Sequence, residues 1–220
     1  MNMMNGENTM KLLWLDFETF GDDVLEPCAA IDMSVIVGDT DKMLSNNPYT
    51  CKDVILAKKF KLSVADQVQN YGFAVQDSAM QFWQEVSPEA RRHIKPKSND
   101  LTVEEFVIQF VDYLNDIGKI DYWFTRGNTF DPSILQRMFK VLGKTAVFKE
   151  YLRFNRVQDM RSHINAKLDY PITTNICPIQ DEEFWKGVFV EHDSQWDVLA
   201  DLLRYQTILR LEHNLEQTMR

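Results

Sequence analysis

Two carboxylates separated by a single residue stand near the N-terminus of the chain. Asp16 and Glu18 flank Phe17 directly after a short apolar run. Side chains two residues apart in an extended chain point to the same side, so both carboxylates project together while Phe17 turns the other way. Adjacent carboxylates repel each other and need a cation, and their hard oxygen atoms suit Mg²⁺ or Mn²⁺. A surface turn explains the same pattern, because Asp-x-Glu is a common tripeptide.

A third acidic residue lies at the predicted start of a helix. Asp131 follows an apolar segment, residues 120–125, and directly precedes Pro132. A carboxylate at the end of a buried strand can join a metal site. Alternatively, Asp131 only caps the helix, because an Asp at the N-cap followed by a Pro at the first helical position is common at helix N-termini. The sequence leaves both interpretations open.

His192 and Asp197 are separated by four residues near the start of the last predicted helix. Within one helix, five residues would turn the two side chains about 140° apart, so a shared site requires His192 to lie in the preceding loop. Asp193 and Ser194 are suitable helix caps and favour that arrangement. Alternatively, His192 is a surface histidine and Asp197 a first-turn carboxylate favoured by the helix dipole.

Strands and helices alternate along the chain in a way that can position these residues. Short β-rich runs predict an antiparallel meander at the start, over residues 11–15, 31–37 and 51–62. Helical periodicity with capping residues predicts helices at residues 77–86, 87–94, 102–114, 131–143 and 193–209. Two further strands are predicted at 120–125 and 157–160, and loops over 173–186. The order predicts an α/β sheet with helices on its faces.

Length and composition restrict the class of protein. A chain of 220 residues suits one domain, and no stretch approaches the roughly 20 apolar residues of a membrane span. Three cysteines without a close pair predict neither a disulfide framework nor a zinc site, which fits a reducing cytoplasm. The net charge of −9 argues against binding of long nucleic acid through a broad basic face. An enzyme that grips only a strand end needs few phosphate contacts and remains compatible with this charge.

The motifs occur together and in a fixed order, and at this point the chain resembles the DEDDh exonuclease superfamily. The three motifs of that superfamily are Asp-x-Glu, Phe/Tyr-Asp and His-x-x-x-x-Asp. More narrowly, the chain resembles the T-even phage exonuclease A group over nearly its whole length. The segments that carry this resemblance are LDFETFG, AAIDMSVIV, QFWQEVSPEARRHI, RGNTFDPSIL, QDMRSHI and EHDSQWDVLADL. One departure, Arg126-Gly127-Asn128 ahead of the second motif, bears on substrate preference.

The resemblance implies a fold, a reaction and a set of site residues. We expect one exonuclease domain over residues 1–220, with residues 1–9 flexible. Its RNase H-like mixed sheet would have antiparallel opening strands, then parallel ones, and helices on both faces. Two divalent ions, Mg²⁺ or Mn²⁺, would drive 3′-5′ release of nucleoside 5′-monophosphates from single-stranded DNA, with His192 taking a proton from the attacking water. The expected metal ligands are Asp16, Glu18, Asp131 and Asp197.

Substrate contacts and partners are further expectations of the resemblance. Phe17, Arg161 and Trp83 are candidate contacts to the 3′ end of a single strand, with core packing the alternative for the two aromatic residues and a surface salt bridge for Arg161. An exoribonuclease on the same fold is a rival function. A non-catalytic nucleic-acid-binding module is a second rival, which the presence of all five motif residues disfavours. A monomer and a homodimer remain open, and a phage-encoded protein would act in the host cytoplasm.

Overall fold

The protein is described by a computed structural model over residues 9–21, 26–168 and 189–215. The expected flexibility of residues 1–8 and the predicted loops at residues 173–186 lie outside these ranges, as does Cys177. None of the helices within the described ranges has both the length and the apolar character that a membrane span requires.

Five strands form one mixed sheet in the order β3-β2-β1-β4-β5. β1 pairs antiparallel with β2, and β2 antiparallel with β3, whereas β4 runs parallel to both β1 and β5. The predicted change from antiparallel opening strands to parallel strands is confirmed. The strands are β1 (Lys11–Thr19), β2 (Ala30–Asp39), β3 (Lys58–Lys61), β4 (Tyr122–Thr125) and β5 (Val157–Asp159).

Helices connect and cover these strands within the described ranges. Two of the connections are short 3₁₀ helices, Cys51–Leu56 and Phe154–Arg156. The α-helices are α1 (Thr40–Leu44), α2 (Val64–Tyr71), α3 (Asp77–Glu85), α4 (Pro88–His93), α5 (Val103–Ile117), α6 (Asp131–Val141), α7 (Thr145–Tyr151), α8 (Met160–Leu168) and α9 (Ser194–Glu212).

Alternate residues of β1 enter two different hydrophobic clusters. Leu13, Leu15 and Phe17 pack in a cluster that includes α5 and α6, whereas Leu12 and Trp14 pack in a cluster that includes α8 and α9. The period of two residues in a strand produces this division. Helices therefore cover both faces of the sheet, as predicted, and even-numbered residues of β1 face α9.

The longest helices begin at the capping residues that the sequence predicts. Thr102 and Glu105 form a capping box at the start of α5, with reciprocal bonds between side chains and backbone N–H groups. The side chain of Asp193 accepts a hydrogen bond from the N–H of Gln195 at the start of α9. Gly118 ends α5 with a positive φ of 73°. The Asp193 cap marks the start of α9, the helix that carries Asp197.

Two parts of the opening meander differ from the prediction. Residues 51–62 are not one strand, because a capping box between Thr50 and Asp53 closes a 3₁₀ helix over Cys51–Leu56 and leaves only Lys58–Lys61 to pair with β2. β1 continues to Thr19, so Asp16 and Glu18 lie within the strand rather than beyond its end. The helices α1, α2, α7 and α8, each of nine residues or fewer, were not among the predicted ones.

Replacing Phe106 by Ala should destabilise the protein by about 3 to 5 kcal/mol. Its ring is fully buried and packs against Phe17, Phe60 and Phe110, so truncation opens a cavity beneath β1. Chemical denaturation measures the loss in the free energy of unfolding. Phe154→Ala is the matched control, because Phe154 is 88% exposed and its loss should change stability by at most about 0.5 kcal/mol. Equal effects of both substitutions would contradict the described core.

Candidate active site

Three carboxylates from two elements meet at one end of the sheet. Asp16 and Glu18 face α9 because they continue the even-numbered side of β1, and Asp197 lies in the first turn of α9. One carboxylate oxygen from each residue lies within 4.8 Å of the other two. Three hard oxygen donors at this spacing can hold a divalent cation. The side chains of Asp16 and Glu18 therefore lie on the same side of β1, as predicted.

Asp131 reaches the same place from the opposite side of β1. It is the first residue of α6, Phe130 occupies the N-cap position, and no side-chain cap bond forms there. Its Oδ1 accepts a hydrogen bond of 3.2 Å from the backbone N–H of Phe17, between Asp16 and Glu18. The interpretation of Asp131 as an N-cap is therefore wrong. Its buried carboxylate lines one cavity together with the other three acidic residues.

Burial makes this group of carboxylates electrostatically unfavourable. Desolvation, followed by the charges of neighbouring carboxylates, raises the pKa of Asp16 and of Glu18 well above the ordinary range. Burial also raises the pKa of Asp131 to about 7, against the hydrogen bond from Phe17, and that of Asp197 to about 8, against the charge of Arg126. A bound cation would offset both the desolvation and the repulsion.

His192 lies in the turn before α9, as the spacing of the third motif required. Its φ of 63° is in the left-handed region, which non-glycine residues adopt infrequently and at a conformational cost. The imidazole packs edge-on against Phe82, with ring centroids 4.9 Å apart, and lines the same cavity as Asp197. Burial lowers the pKa of His192, and the charge of Glu191 opposes this shift only in part.

Polar contacts of the neighbouring Asp193 side chain connect this turn to two other elements. Its Oδ1 lies 2.5 Å from Nζ of Lys59 on β3, and its Oδ2 lies 3.2 Å from Nε2 of His93 on α4. The sequence analysis identified Asp193 only as a cap. These contacts join residues more than 95 positions apart in sequence, so no local pattern could have revealed them.

Polar side chains of β2 form a buried group behind Asp16 and Glu18. The Oγ of Ser194, the first residue of α9, donates a 2.6 Å hydrogen bond to Oδ1 of Asp32 and lies 2.7 Å from Oγ of Ser34. Asp32 and Ser34 are the β2 residues that pair with Glu18 and Asp16. The contacts therefore fix α9 against the same strand pair that carries the carboxylates.

The predicted substrate contacts occupy different positions around a cavity of about 1160 Å³. Trp83 is only 3% exposed, and its indole N–H donates to the carbonyl of Thr19, so it belongs to the core and not to the surface that a base could contact. Its neighbour Phe82 is 41% exposed and lines the cavity. The Phe17 ring is buried against Phe106. Burial thus favours the packing alternative for Trp83, whereas Phe17 also lines the cavity, and its contact with the substrate stays a prediction.

Arg161 follows β5 on α8 and lines the cavity. It is exposed, and the structure gives it no ion pair within the described ranges, so the alternative of a surface salt bridge is not observed there. Its positive charge lowers the pKa of both Asp131 and Asp201, which places it on the Asp131 side of the site.

Two further arginines meet at a buried acidic residue that the sequence analysis did not consider. Arg126, from the loop after β4, binds Asp201 through Nε and Nη2 at 2.8 to 3.0 Å. Nη1 of Arg204 lies 2.8 Å from the same carboxylate. We call these three residues the Arg-Asp-Arg cluster. Asp201 lies four residues after Asp197 on α9, and this helical spacing was the available signal.

The sequence matches a known family over most of its length. Residues 11–201 match the model described as the 3′-5′ exoribonuclease Rv2179c-like domain, and this range includes all five residues of the three motifs. The chain belongs to this family. It is accordingly a 3′-5′ exonuclease of the DEDD superfamily and a hydrolase, as the order of the motifs predicted.

Relatives of this family member support the assignment and the fold. An exodeoxyribonuclease of Enterobacteria phage T4 is 30% identical, over 92% of this chain and 90% of the phage protein. Exonuclease I of E. coli with a 5cy-dT13 oligonucleotide superposes with a TM-score of 0.59 at 13% identity, covering 94% of this chain and 41% of that one. The zinc-bound exonuclease I complex with single-stranded DNA gives 0.53 at 16% identity, covering 90% and 39%.

The superpositions confirm the RNase H-like fold. The present chain spans about two fifths of the length of the exonuclease I chains that it matches.

The raised carboxylate pKa values predict that the metal-free exonuclease loses stability as the pH rises. Because the folded-state pKa values of these carboxylates lie above those of the unfolded chain, the folded protein binds more protons than the unfolded chain. The stability that the protonated carboxylates contribute is therefore complete below about pH 4 and is lost as the pH rises toward the folded-state values of up to about 8. Melting temperatures in EDTA measure this loss.

Asp197→Asn is the variant that isolates the effect. At pH 8 without metal it should melt above the wild type, because it removes a buried charge, and the difference should shrink as the pH falls and vanish below about pH 4, where Asp197 is protonated in both the folded and the unfolded chain. A variant that melts below the wild type at pH 8 would show that the carboxylates do not repel each other in the folded state.

Proposed function

We propose that the protein degrades single-stranded DNA from its 3′ end and releases nucleoside 5′-monophosphates. Two divalent ions, Mg²⁺ or Mn²⁺, would be held by Asp16, Glu18, Asp131 and Asp197. His192 would act as the general base. The observation that carries this proposal is the approach of three carboxylate oxygens, from Asp16, Glu18 and Asp197, to within 4.8 Å of one another in a half-buried site.

The chemistry of the donor set fits divalent ions. All four candidate ligands are carboxylates, the oxygen donors that Mg²⁺ and Mn²⁺ prefer, and the described part of the site offers no thiolate. Burial without a cation leaves their pKa values raised, so binding of a cation relieves an existing cost. Divalent ions at such a site stabilise the charge that develops on the attacking and leaving oxygens of an in-line displacement.

His192 has the properties of a proton acceptor beside this site. The imidazole shares the cavity with Asp197, and burial favours its neutral form, which is the form that can accept a proton. Edge-on contact with Phe82 and the fixed turn at Asp193 restrict the orientation of the ring. We propose that His192 takes the proton of the attacking water, a contribution typically worth about 10²- to 10⁴-fold in rate.

The strand end would contact both sides of the cavity. We propose that Arg161, without an ion pair in the described ranges, contacts a phosphate of the substrate, because an exposed guanidinium can donate two parallel hydrogen bonds to it. Phe82 offers the exposed ring that Trp83 lacks, and base stacking on such a ring contributes about 1 to 3 kcal/mol. Phe17 would contribute through its backbone beside Asp131 rather than through its buried ring.

DNA is the proposed substrate, and RNA is the second candidate. The phage T4 relative, similar over nearly the full length of both proteins, is an exodeoxyribonuclease, whereas the family description names an exoribonuclease activity. The carboxylates act on a phosphodiester that both nucleic acids share. Discrimination therefore depends on whether the cavity has a partner for the 2′-hydroxyl.

A direct test uses 5′-labelled single-stranded DNA and RNA of one sequence, incubated with the protein and Mn²⁺ or Mg²⁺. We expect stepwise shortening of the DNA, release of nucleoside 5′-monophosphates and no activity in EDTA. Asp131→Asn should nearly abolish the activity with little loss of stability, because the amide can still accept from the Phe17 N–H but is a poorer metal ligand. Faster shortening of the RNA would transfer the proposal to the second candidate. An Asp131→Asn rate within a few-fold of wild type would remove Asp131 from the ligand set.

The role of His192 predicts a particular pH dependence. The single-turnover rate of the wild type should rise with pH as the imidazole loses its proton and then level off, with a midpoint that burial shifts below the ordinary histidine pKa. His192→Ala should lower the rate by roughly two to four orders of magnitude and flatten this rise. His213→Ala is the control, since His213 is exposed at the far end of α9 and does not line the cavity. An alanine variant at His192 with the wild-type rate and profile would leave His192 without a catalytic role.

A further inference from the structure

The Arg-Asp-Arg cluster places a fixed positive charge beside the carboxylate site. Arg204 is 2% exposed and Asp201 is also buried, while the side chain of Arg126 is largely covered. Two guanidinium groups share one carboxylate, so the cluster carries one uncompensated positive charge. Buried charge of this kind is costly unless opposite charge lies nearby.

The carboxylate site supplies opposite charge on the same cavity. Arg126, Arg204, Asp16 and Asp197 all line the same cavity. Asp201 lies one helical turn after Asp197, so the guanidinium that binds Asp201 is also brought toward Asp197. Burial alone would lower the pKa of Arg126, but Asp201 raises it, with further contributions from Asp197 and Asp16. The excess charge of the cluster therefore acts on two of the proposed metal ligands.

We infer that Arg126, oriented by Asp201, is an internal counter-charge that holds the carboxylate site together without metal and weakens its affinity for divalent cations. Arg126 is in this sense a positioning residue. The inference rests on the proposed function in one respect, which is the assignment of Asp16 and Asp197 as metal ligands.

Contact with a substrate phosphate is the rival role for Arg126. Three hydrogen bonds to Asp201 already use Nε and Nη2, which form one of the two guanidinium edges that can bind a phosphate in a bidentate manner. Arg161, in contrast, has no such partner within the described ranges. This difference favours an internal role for Arg126 and a substrate role for Arg161.

Calorimetric titration of Mn²⁺ into the wild type and two single variants tests the inference without any nucleic acid. Arg126→Gln removes the counter-charge and should tighten Mn²⁺ binding on the order of tenfold, whereas Asp201→Asn leaves both arginines uncompensated and should weaken binding by a similar factor. In EDTA at pH 8, Arg126→Gln should melt below the wild type, because the carboxylates lose their internal cation. A purely structural role would weaken Mn²⁺ binding in both variants.

Arg210→Gln provides the control on the same helix. Arg210 donates to the carbonyls of Met43 and Ser45, and it does not line the cavity, so this variant should bind Mn²⁺ with the wild-type affinity. Should Arg126→Gln fail to fold, Arg204→Gln still tests the inference, because it removes the same excess positive charge and should tighten Mn²⁺ binding, whereas a purely structural role would weaken it. Wild-type affinity in both cluster variants would overturn it, as would a loss of oligonucleotide affinity in Arg126→Gln with Mn²⁺ binding unchanged. A wild type that binds no Mn²⁺ would overturn the metal assignment itself.

Discussion

Mutual repulsion among closely spaced, half-buried carboxylates is the constraint around which the rest of the molecule is organised. Asp16, Glu18 and Asp197 are held within 4.8 Å of one another although burial raises the pKa of each. An isolated loop would relax by separating these groups. Here the separation is prevented because two of them lie on the central strand of the sheet and the third lies on a helix packed against that strand.

β1 links the stability of the fold to the geometry of the site. Its odd-numbered residues pack in the hydrophobic cluster that includes α5. Its first even-numbered residues, Leu12 and Trp14, pack against α9, and the next two on the same side are Asp16 and Glu18. The backbone N–H of Phe17 fixes Asp131, and the buried contacts of Ser194 with Asp32 and Ser34 fix the start of α9. The free energy released by packing both faces therefore offsets the electrostatic cost of the site.

Local patterns in the sequence predict what depends on neighbours along the chain. Alternation placed Asp16 and Glu18 on one side, and the caps at Thr102 and Asp193 located α5 and α9. Contacts between residues far apart in sequence were not predicted. They include the contacts of Lys59 and His93 with Asp193 and the cluster around Asp201. The sequence also did not predict that Trp83 is buried beside an exposed Phe82. A helical stripe identifies Phe82 and Trp83 as neighbours but not which of the two meets the core.

The distribution of charge reconciles an acidic chain with a polyanionic substrate. A net charge of −9 opposes the approach of long nucleic acid, and the cations within the cavity are few. Of the three arginines that line the cavity among the described residues, Arg126 and Arg204 bind Asp201, whereas Arg161 has no ion pair there and can contact a phosphate. On the proposed function, affinity must then come from a short stretch at the strand end, through the metal-held phosphate, Arg161 and Phe82, rather than from counterion release along the strand. Few phosphate contacts also imply weak salt dependence and easy release after each step, which suits an enzyme that must advance by one nucleotide after every cleavage.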